Sequence, residues 1–326
     1  MDHPEIAERD RPRPGPGQVL LKMKAASINY RDLVVPLRGY GSFTGTLPLV
    51  PISDGVGEVV ETGAGVTRVA AGDRVCPMFM QQWIGGEPDL TRITATLGGP
   101  IDGVMQEYMV LGEDGLAKAP AYLTDEEAAT LPCAALTAWS ALVTEGAVTA
   151  GDTLLVQGTG GVSLFALQFG KLLGARVIVI SSSDDKLERA AALGADDGIN
   201  YKNVPLWGKA VKNLTGGRGV DHIVEVGGEK TLPQSLRAIR PGGTISMIGV
   251  LSGGNLDVSL GLIVTRKVRL QGVTVGHRDA FEAMTRALDL HRVKPVIDRV
   301  FAFDELKTAL DYLRQGKHFG KICIRF

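Results

Sequence analysis

The chain has 326 residues, 35 basic against 36 acidic side chains, and 44% apolar residues. This length is enough for one large domain or two ordinary ones with a sizeable core. The net charge of -1 provides no field that would attract nucleic acid or an anionic membrane surface. No apolar run reaches the roughly 18–20 residues of a membrane span, and the charged start, residues 1–5, lacks the apolar segment of a secretory signal. Three cysteines, Cys76, Cys133 and Cys323, cannot form a disulfide framework, so we expect a cytoplasmic protein.

The first part of the chain, residues 1–120, predicts short strands separated by turns. Strand patterns cover residues 19–25, 56–61 and 104–111, and the glycines at positions 63, 65 and 72 indicate the turns between them. Long helical patterns are few in this part. The sequence therefore predicts a β-rich unit here.

From about residue 120 onward, strands and helices alternate. Thr124 and Glu127 have the spacing of a capping box at the start of a helix. The pattern predicts strands at 153–157, 176–181, 198–200, 221–226 and 244–249, with helices at 162–173 and 186–193. Such alternation predicts βαβ units and a parallel sheet covered on both faces. One more strand is expected at 267–275, followed by helices at 280–291 and 304–315 and a last strand at 321–326.

A glycine-rich segment follows the strand predicted at 153–157 and opens the next helix. It reads Gly158-Thr159-Gly160-Gly161-Val162-Ser163, with serine in place of the third glycine of the usual fingerprint. Glycines at a strand-to-helix turn let a pyrophosphate approach the backbone, and the helix N-terminus offers free N–H groups. Because the motif lies in a βαβ context, the sequence predicts a dinucleotide site.

The end of the next strand indicates which dinucleotide is bound. NAD sites normally carry an acidic residue there for the ribose 2′-hydroxyl, but this strand ends in Ser181, Ser182 and Ser183, with Lys186 one turn later. Small hydroxyl side chains leave room for a 2′-phosphate that Lys186 could neutralise. Asp184 and Asp185 keep NAD open as the alternative, since either carboxylate could bind a ribose.

Taken together, several short motifs resemble the medium-chain dehydrogenase/reductase superfamily, and most closely its zinc-free quinone oxidoreductase branch. The matching segments lie in the same order along nearly the whole chain; they are residues 26–32 (ASINYRD), 54–60 (DGVGEVV), 70–75 (AAGDRV), 136–139 (LTAW), the glycine loop, 193–196 (LGAD) and 320–321 (GK). The resemblance implies an α/β protein with a GroES-like β-rich catalytic domain and a doubly wound Rossmann domain. We expect residues 1–120 to form the first part of the catalytic domain and residues 121–262 to form the Rossmann domain. Residues 263–326 should add the edge strand of the Rossmann sheet and then return to the catalytic domain.

The resemblance also bears on metal binding. Zinc-dependent relatives hold their catalytic metal with cysteine, histidine and a second cysteine, and these positions match Asn29, Ser53 and Cys133. One thiolate with an amide and a hydroxyl is a poor set of zinc ligands. The four-cysteine structural lobe of those relatives is missing as well, so no metal site is expected.

Further site residues follow from the resemblance. It implies that Asn29 lies near the nicotinamide ribose and that Tyr40 lines the catalytic cleft. Tyr40, Tyr30 and Arg31 are the side chains available as hydrogen-bond donors to a substrate oxygen. Cofactor-binding residues implied by the motifs and the resemblance are Thr137, Gly158, Gly160, Gly161, Val162, Ser181, Ser182, Lys186, Tyr201, Gly249, Val250 and Lys321. His222, in a predicted strand, is expected in the core.

The expected activity is hydride transfer from NADPH to a quinone or a conjugated enone, without zinc. An alcohol dehydrogenase or carbonyl reductase and an enoyl-thioester reductase are alternative enzymes, and a non-enzymatic NADPH-binding protein is an alternative of another class. The expected partner is a small carbonyl or quinone molecule, with no nucleic acid and no membrane. An exposed edge strand at 267–275 would favour a homodimer.

Overall fold

The computed structural model describes residues 4–39, 41–255 and 260–326. The strands are β1 (Gln18–Ile28), β2 (Asp54–Thr62), β3 (Arg74–Pro77), β4 (Tyr108–Gly112), β5 (Leu116–Lys118), β6 (Thr153–Gln157), β7 (Arg176–Ser181), β8 (Asp197–Asn200), β9 (Val220–Glu225), β10 (Ile239–Met247), β11 (Arg269–Gly272), β12 (Ile297–Ala302) and β13 (Lys321–Arg325). The α-helices are α1 (Arg31–Val34), α2 (Leu90–Thr94), α3 (Asp125–Ala129), α4 (Leu136–Trp139), α5 (Gly161–Leu172), α6 (Asp184–Ala192), α7 (Trp207–Leu214), α8 (Leu232–Ala238), α9 (Leu260–Arg266), α10 (Arg278–His291) and α11 (Leu306–Arg314). Two π-helical turns, Leu131–Ala135 and Ser140–Thr144, flank α4.

The chain divides into two compact units. One comprises Met1–Leu136 and Val275–Phe326, and the other Thr137–Thr274. Residues 121–136, which we expected in the second unit, belong to the first because α3 packs against β1 and β2. The capping box at the start of α3 is present as predicted, with Thr124 and Glu127 exchanging hydrogen bonds.

The first unit is built on a seven-stranded sheet. Its order is β12-β13-β1-β2-β3-β5, with β4 also paired to β1. The long strand β1 is almost continuously buried and contributes Leu21, Met23 and Ile28 to the core. The last strand, β13, pairs antiparallel with β1 and places Ile322 opposite Ile28. The C-terminal segment therefore returns to the β-rich unit, as the resemblance implied.

One strand prediction in this unit needs correction. The strand expected over 104–111 begins only at Tyr108. The backbone N–H groups of residues 103–105 instead bond to carbonyl oxygens of residues 50–52, at 2.7, 2.8 and 3.2 Å. This pairing of two loops buries the apolar residues Val104 and Met105. The segment is therefore as apolar as a strand, but it does not form the hydrogen-bond ladder of one.

The second unit is a parallel six-stranded sheet of the Rossmann type. Its order is β11-β10-β9-β6-β7-β8, and every pairing is parallel. The order reverses between β6 and β9, so a topological switch point lies at their carboxyl ends, where such sheets bind ligands. Strands β6 and β7 have the predicted bounds, whereas helices α7, α8 and α9 were not predicted.

The predicted edge strand is confirmed in position and shortened in length. β11 spans only Arg269–Gly272 and lies at the end of the sheet, beside β10. The flanking Val268, Val273 and Val275 are buried outside the strand. Within the described residues, none of the helices is long and apolar enough to cross a membrane.

Candidate active site

The glycine-rich turn joins β6 to α5 with the geometry that a pyrophosphate requires. Gly158 has φ +73°, a conformation that favours glycine. A Cβ on Gly160 would meet no atom within 4 Å, so the space above it is open. No side chain caps the start of α5, while Ser163, in the place of the third glycine, donates a 2.6 Å hydrogen bond to the Gln157 carbonyl. The backbone N–H groups of Gly161 and Val162 thus remain suited to phosphate oxygens.

A buried carboxylate, Glu225, organises the switch point beside this turn. Its Oε1 accepts hydrogen bonds from the backbone N–H groups of Gly227 and Gly228, at 2.9 and 3.0 Å, and from the Thr231 hydroxyl at 2.5 Å. Its Oε2 accepts from Gln157 Nε2 at 2.6 Å and from the Ser235 hydroxyl at 2.5 Å. One side chain therefore fixes the ends of β6 and β9 and the start of α8. Sequence reasoning missed it, although a glutamate ending an apolar strand is a visible signal.

Gly249 and Val250 follow β10 at the same end of the sheet. The N–H of Gly249 donates to the Glu225 carbonyl at 3.3 Å, and a Cβ at Gly249 would overlap the carbonyl oxygen of Val226. Gly249 is therefore required for the close approach of two strand ends. Val250 is 62% exposed and available to a bound molecule.

The residues expected at the adenosine end of the cofactor lie together. β7 and β8 pair Ser181 with Asn200, and the N–H of Tyr201 donates to the Ser181 carbonyl at 3.0 Å. Ser181 is buried, Ser182 and Lys186 are half-buried, and Tyr201 is 40% exposed. The register of β7 and β8 thus brings all four predicted residues to one end of the sheet.

Two polar residues beside them have structural partners. Ser183 is the N-cap of α6, and its hydroxyl accepts from the N–H of Lys186 at 3.4 Å. Asp184, the first residue of α6, accepts a 2.9 Å hydrogen bond from Asn200 Nδ2. One of the two carboxylates that kept NAD open is therefore already hydrogen-bonded within the protein.

Thr137 is buried on the short helix α4 of the second unit. This helical segment packs on α5 through Trp139 and Phe169, whose rings meet edge to face at 5.5 Å. Thr137 thus belongs to the helical segment that packs on the helix after the glycine turn.

In the first unit, the three positions that match zinc ligands converge on Asp54. The Ser53 hydroxyl donates to Asp54 Oδ1 at 2.7 Å, and the backbone N–H of Cys133 donates to Asp54 Oδ2 at 2.9 Å. Asn29 Nδ2 lies 3.5 Å from the Ser53 hydroxyl. Asn29 is half-buried and follows β1, whereas Ser53 and Asp54 are fully buried where β2 begins.

Lys321, the first residue of β13, completes this cluster. Its side-chain ammonium donates to the Ile28 carbonyl at 2.7 Å and to Asn29 Oδ1 at 2.5 Å. The residue is 4% exposed. The antiparallel pairing of β1 with β13 places it there, because Ile28 lies opposite Ile322.

Burial sets the electrostatics of the cluster. Burial raises the pKa of Asp54, against the opposing effects of the Lys321 charge and the Ser53 hydrogen bond. It raises the pKa of Asp32 to about 6, although the Arg31 charge acts in the other direction. It also raises the pKa of the Cys133 thiol to about 12, so this cysteine is protonated near neutral pH.

These residues do not fit a catalytic zinc ion. Zinc binds thiolate, imidazole or carboxylate ligands, and the matching positions present an amide, a hydroxyl and only one thiol. The Lys321 ammonium on Asn29 adds a positive charge that would repel a divalent cation. In the part of the chain that the structure describes, no group of three or more His, Cys, Asp or Glu side chains could hold a metal.

The remaining predicted catalytic residues differ in whether their side chains are accessible to a substrate. Tyr30 is 49% exposed. Arg31 is buried and donates to the carbonyls of Leu97 and Gly99, at 2.8 and 3.0 Å, and its guanidinium lies 4.7 Å from the centre of the Phe79 ring. Arg31 is thus placed to hold the 97–99 turn rather than to donate to a substrate, contrary to expectation. Tyr40 lies outside the described residues.

Comparisons with known proteins agree with this architecture. The family model for the alcohol dehydrogenase GroES-like domain matches residues 15–121, and the model for a zinc-binding dehydrogenase matches residues 161–290. A zinc-type alcohol dehydrogenase-like protein of Schizosaccharomyces pombe is 44% identical, over 99% of this chain and 97% of its own.

Two solved structures extend the likeness. A crystal structure from Sinorhizobium meliloti 1021, provisionally described as an alcohol dehydrogenase, is 47% identical with a TM-score of 0.93, covering 99% of this chain and 94% of its own. A structure described as an NAD-dependent alcohol dehydrogenase is 34% identical with a TM-score of 0.89, covering 98% and 95%. The chain belongs to the medium-chain dehydrogenase/reductase superfamily. Within it, the protein is an alcohol dehydrogenase-like oxidoreductase, of a family that binds a nicotinamide cofactor.

Proposed function

We propose that this protein is a zinc-independent oxidoreductase that transfers a hydride from NADPH to a quinone or a conjugated enone. The observation that carries the proposal is the cluster at the zinc-ligand positions. Asn29 and Ser53 stand there beside a single cysteine, Cys133, and the Lys321 ammonium is bonded to Asn29. Reduction of a simple carbonyl in this superfamily relies on a metal to stabilise the alkoxide, whereas a conjugated system spreads the developing charge and needs only hydrogen-bond donors.

The nicotinamide supplies the hydride when it is bound. The chain's own residues hold the cofactor: the N–H groups at Gly160–Val162 suit the pyrophosphate, and Ser181, Ser182, Lys186 and Tyr201 suit the adenosine end. Gly249 and Val250 are assigned to the nicotinamide end, whereas the ammonium of Lys321, which the resemblance also implied for the cofactor, is bonded to Ile28 and Asn29. Tyr30 and the half-buried Asn29 amide are the donors that the described residues offer to a substrate oxygen.

Two observations support NADPH over NADH. Ser181 stands where an NAD site carries an acid, and Asp184 is hydrogen-bonded to Asn200. One relative is described as NAD-dependent, which makes the coenzyme the first property to measure.

Alcohol oxidation or carbonyl reduction is the second candidate, because the relatives are described as alcohol dehydrogenases. Steady-state oxidation of NADPH and NADH should be followed with 1,4-quinones, linear enones, an enoyl thioester and simple aldehydes, and the reverse reaction with primary and secondary alcohols. We expect turnover with quinones or enones, faster with NADPH, and little with aldehydes or alcohols. Faster aldehyde or alcohol turnover, or a preference for the thioester, would replace the proposed substrate class. NADPH fluorescence changes without turnover of any acceptor would indicate a pure binding protein.

A further inference from the structure

Lys321 and Asn29 form a hydrogen bond whose direction is fixed by chemistry. An ammonium group has three donors and no acceptor. Two of the Lys321 donors reach the Ile28 carbonyl and Asn29 Oδ1, at 2.7 and 2.5 Å. The oxygen of the Asn29 amide must therefore face the lysine, and its NH2 group must face the opposite side.

The contacts continue in one direction from this amide. Asn29 Nδ2 lies 3.5 Å from the Ser53 hydroxyl, which donates to Asp54 Oδ1 at 2.7 Å. The chain of contacts thus runs from the Lys321 cation, through the amide and the Ser53 hydroxyl, to the carboxyl group of Asp54. The cation at the oxygen end polarises the amide, which strengthens its NH2 group as a donor.

Exposure distinguishes the amide from the other members of this chain of contacts. Lys321, Ser53 and Asp54 are 4%, 0% and 0% exposed, whereas Asn29 is half-buried. Asn29 is therefore the residue of this chain of contacts that can meet a bound molecule, and the buried lysine can act on such a molecule only through it.

We propose that Lys321 is a positioning residue that orients and polarises the Asn29 amide, so that the N–H of its NH2 group that is not directed at Ser53 donates a hydrogen bond to the carbonyl oxygen of the substrate. This inference rests on the proposed function, because negative charge develops on that oxygen when a conjugated carbonyl is reduced. The role is electrostatic, and no bond forms or breaks at either side chain.

Three variants separate this role from simple structural support. Lys321→Met removes the charge and the donors at similar length, Lys321→Arg keeps a cation, and Asn29→Asp keeps an oxygen for the lysine but removes the NH2 group. We expect Lys321→Met and Asn29→Asp to lower kcat by about 10- to 100-fold, as for a lost charge-assisted hydrogen bond. The NADPH dissociation constant should change by less than about 3-fold, and Lys321→Arg should regain most of the rate. Thermal midpoints and circular dichroism establish that each variant is folded.

A double-mutant cycle tests whether the lysine acts through the amide. In an Asn29→Ala background, Lys321→Met should lower kcat by less than about 3-fold further, because the group that it positions is already gone. Effects that multiply instead would overturn the inference, since Lys321 would then act on the ligand directly. Loss of NADPH affinity with unchanged kcat would overturn it as well.

A spectroscopic readout keeps this test separate from that of the proposed function. The chain has only five asparagines, so selective ¹⁵N-asparagine labelling gives five side-chain NH2 pairs, and Asn29→Asp identifies the Asn29 pair by its loss. We expect this pair to shift in Lys321→Met and to return towards its position in Lys321→Arg, with or without a substrate. If the NMR signals of the Asn29 NH2 pair do not shift in Lys321→Met, the positioning role is wrong. A shifted pair in a protein that reduces no enone or quinone supports the positioning and defeats the proposed function instead.

Discussion

Asn200 at the end of β8 donates a 2.9 Å hydrogen bond to Asp184 at the start of α6. The contact joins the two segments that border the predicted adenosine site. It also engages Oδ1, one of the two oxygens of a carboxylate that could accept a hydrogen bond from a ribose. Coenzyme preference should therefore depend on both this pair and the neighbouring Lys186.

We predict that Lys186→Ala weakens NADPH binding by about 10- to 100-fold and leaves NADH nearly unchanged. The reason is the loss of a charge-assisted contact with the 2′-phosphate, worth roughly 1.5–3 kcal/mol. Fluorescence titration with both coenzymes measures the two dissociation constants. Equal weakening of both coenzymes, or an unmodified protein that binds NADH as tightly as NADPH, would refute the NADP assignment.

The complementary change is Ser181→Asp. It places a carboxylate where NAD sites carry one, so it should repel the 2′-phosphate and favour NADH. Because Ser181 is only 3% exposed, Ser181→Asn serves as the matched control for size without charge. If the asparagine and aspartate variants shift the preference equally, charge is not the cause.

We predict well under one zinc per chain in protein purified without a metal-affinity tag. Asn29→Cys with Ser53→His would supply a Cys-His-Cys ligand set with Cys133, and Lys321→Met would remove the neighbouring cation. The triple variant should retain close to one zinc, measured by mass spectrometry of the metal after dialysis. A full equivalent of zinc in the unmodified protein after dialysis against chelator would contradict the reading of this cluster.

The edge strand β11 leads to a prediction about assembly. The N–H of Val273 bonds to the Met247 carbonyl on β10 at 2.9 Å, so alternation along the strand directs the N–H groups of Leu270 and Gly272 away from β10. We expect a homodimer in which these groups pair with a second copy, and a monomer for Leu270→Pro, which removes one outward donor. Light scattering at micromolar concentration gives the mass, with Leu270→Val as the control that keeps the donor. An unmodified protein that is only monomeric would refute the dimer.

His222 predicts a loss of stability in acid. It is 2% exposed, its Nε2 lies 2.9 Å from the Ser246 hydroxyl, and burial lowers its pKa to about 4 from 6.5. The unfolded chain therefore binds a proton more readily than the folded one. This contribution is complete above pH 6.5 and is lost as the pH falls towards 4.

Between pH 7 and 4.5, the unmodified protein should lose about 2 kcal/mol more free energy of unfolding than His222→Gln, which cannot titrate. Urea denaturation at the two pH values measures the difference. Asp32, whose raised pKa acts in the opposite direction, is common to both proteins and cancels. Parallel losses in the two proteins would exclude His222 as the cause.

Local patterns predicted much of the fold. Strands β6 and β7 are short apolar runs between turn residues, so their bounds in the structure are those expected. The helix α8 was missed because Pro233 and Gln234 interrupt a seven-residue element, too short to show periodicity. Val104 and Met105 are apolar like strand residues, but the partners of residues 103–105 are residues 50–52, which are distant in sequence, and only the folded chain shows that pairing.

The candidate site also combines residues in local motifs, which sequence can predict, with contacts between residues distant in sequence, which it cannot. The glycine turn and the serines after β7 stand in local motifs, so sequence sufficed to find them. The Glu225 network and the Lys321–Asn29 contact join residues separated by up to 292 positions, and no local pattern encodes such a contact. The same limit applies to Arg31, whose partners at Leu97 and Gly99 could be assigned only after folding.

The raised pKa values of the three thiols have a practical consequence for an enzyme of the proposed substrate class. Quinones and enones alkylate proteins at thiolates, and burial raises the pKa of Cys76, Cys133 and Cys323, the latter two to about 12. A protein that handles such electrophiles at its own surface would therefore present them with no native thiolate to attack. Because the three native thiols react slowly with thiol reagents for the same reason, a single cysteine introduced at the surface could be labelled selectively.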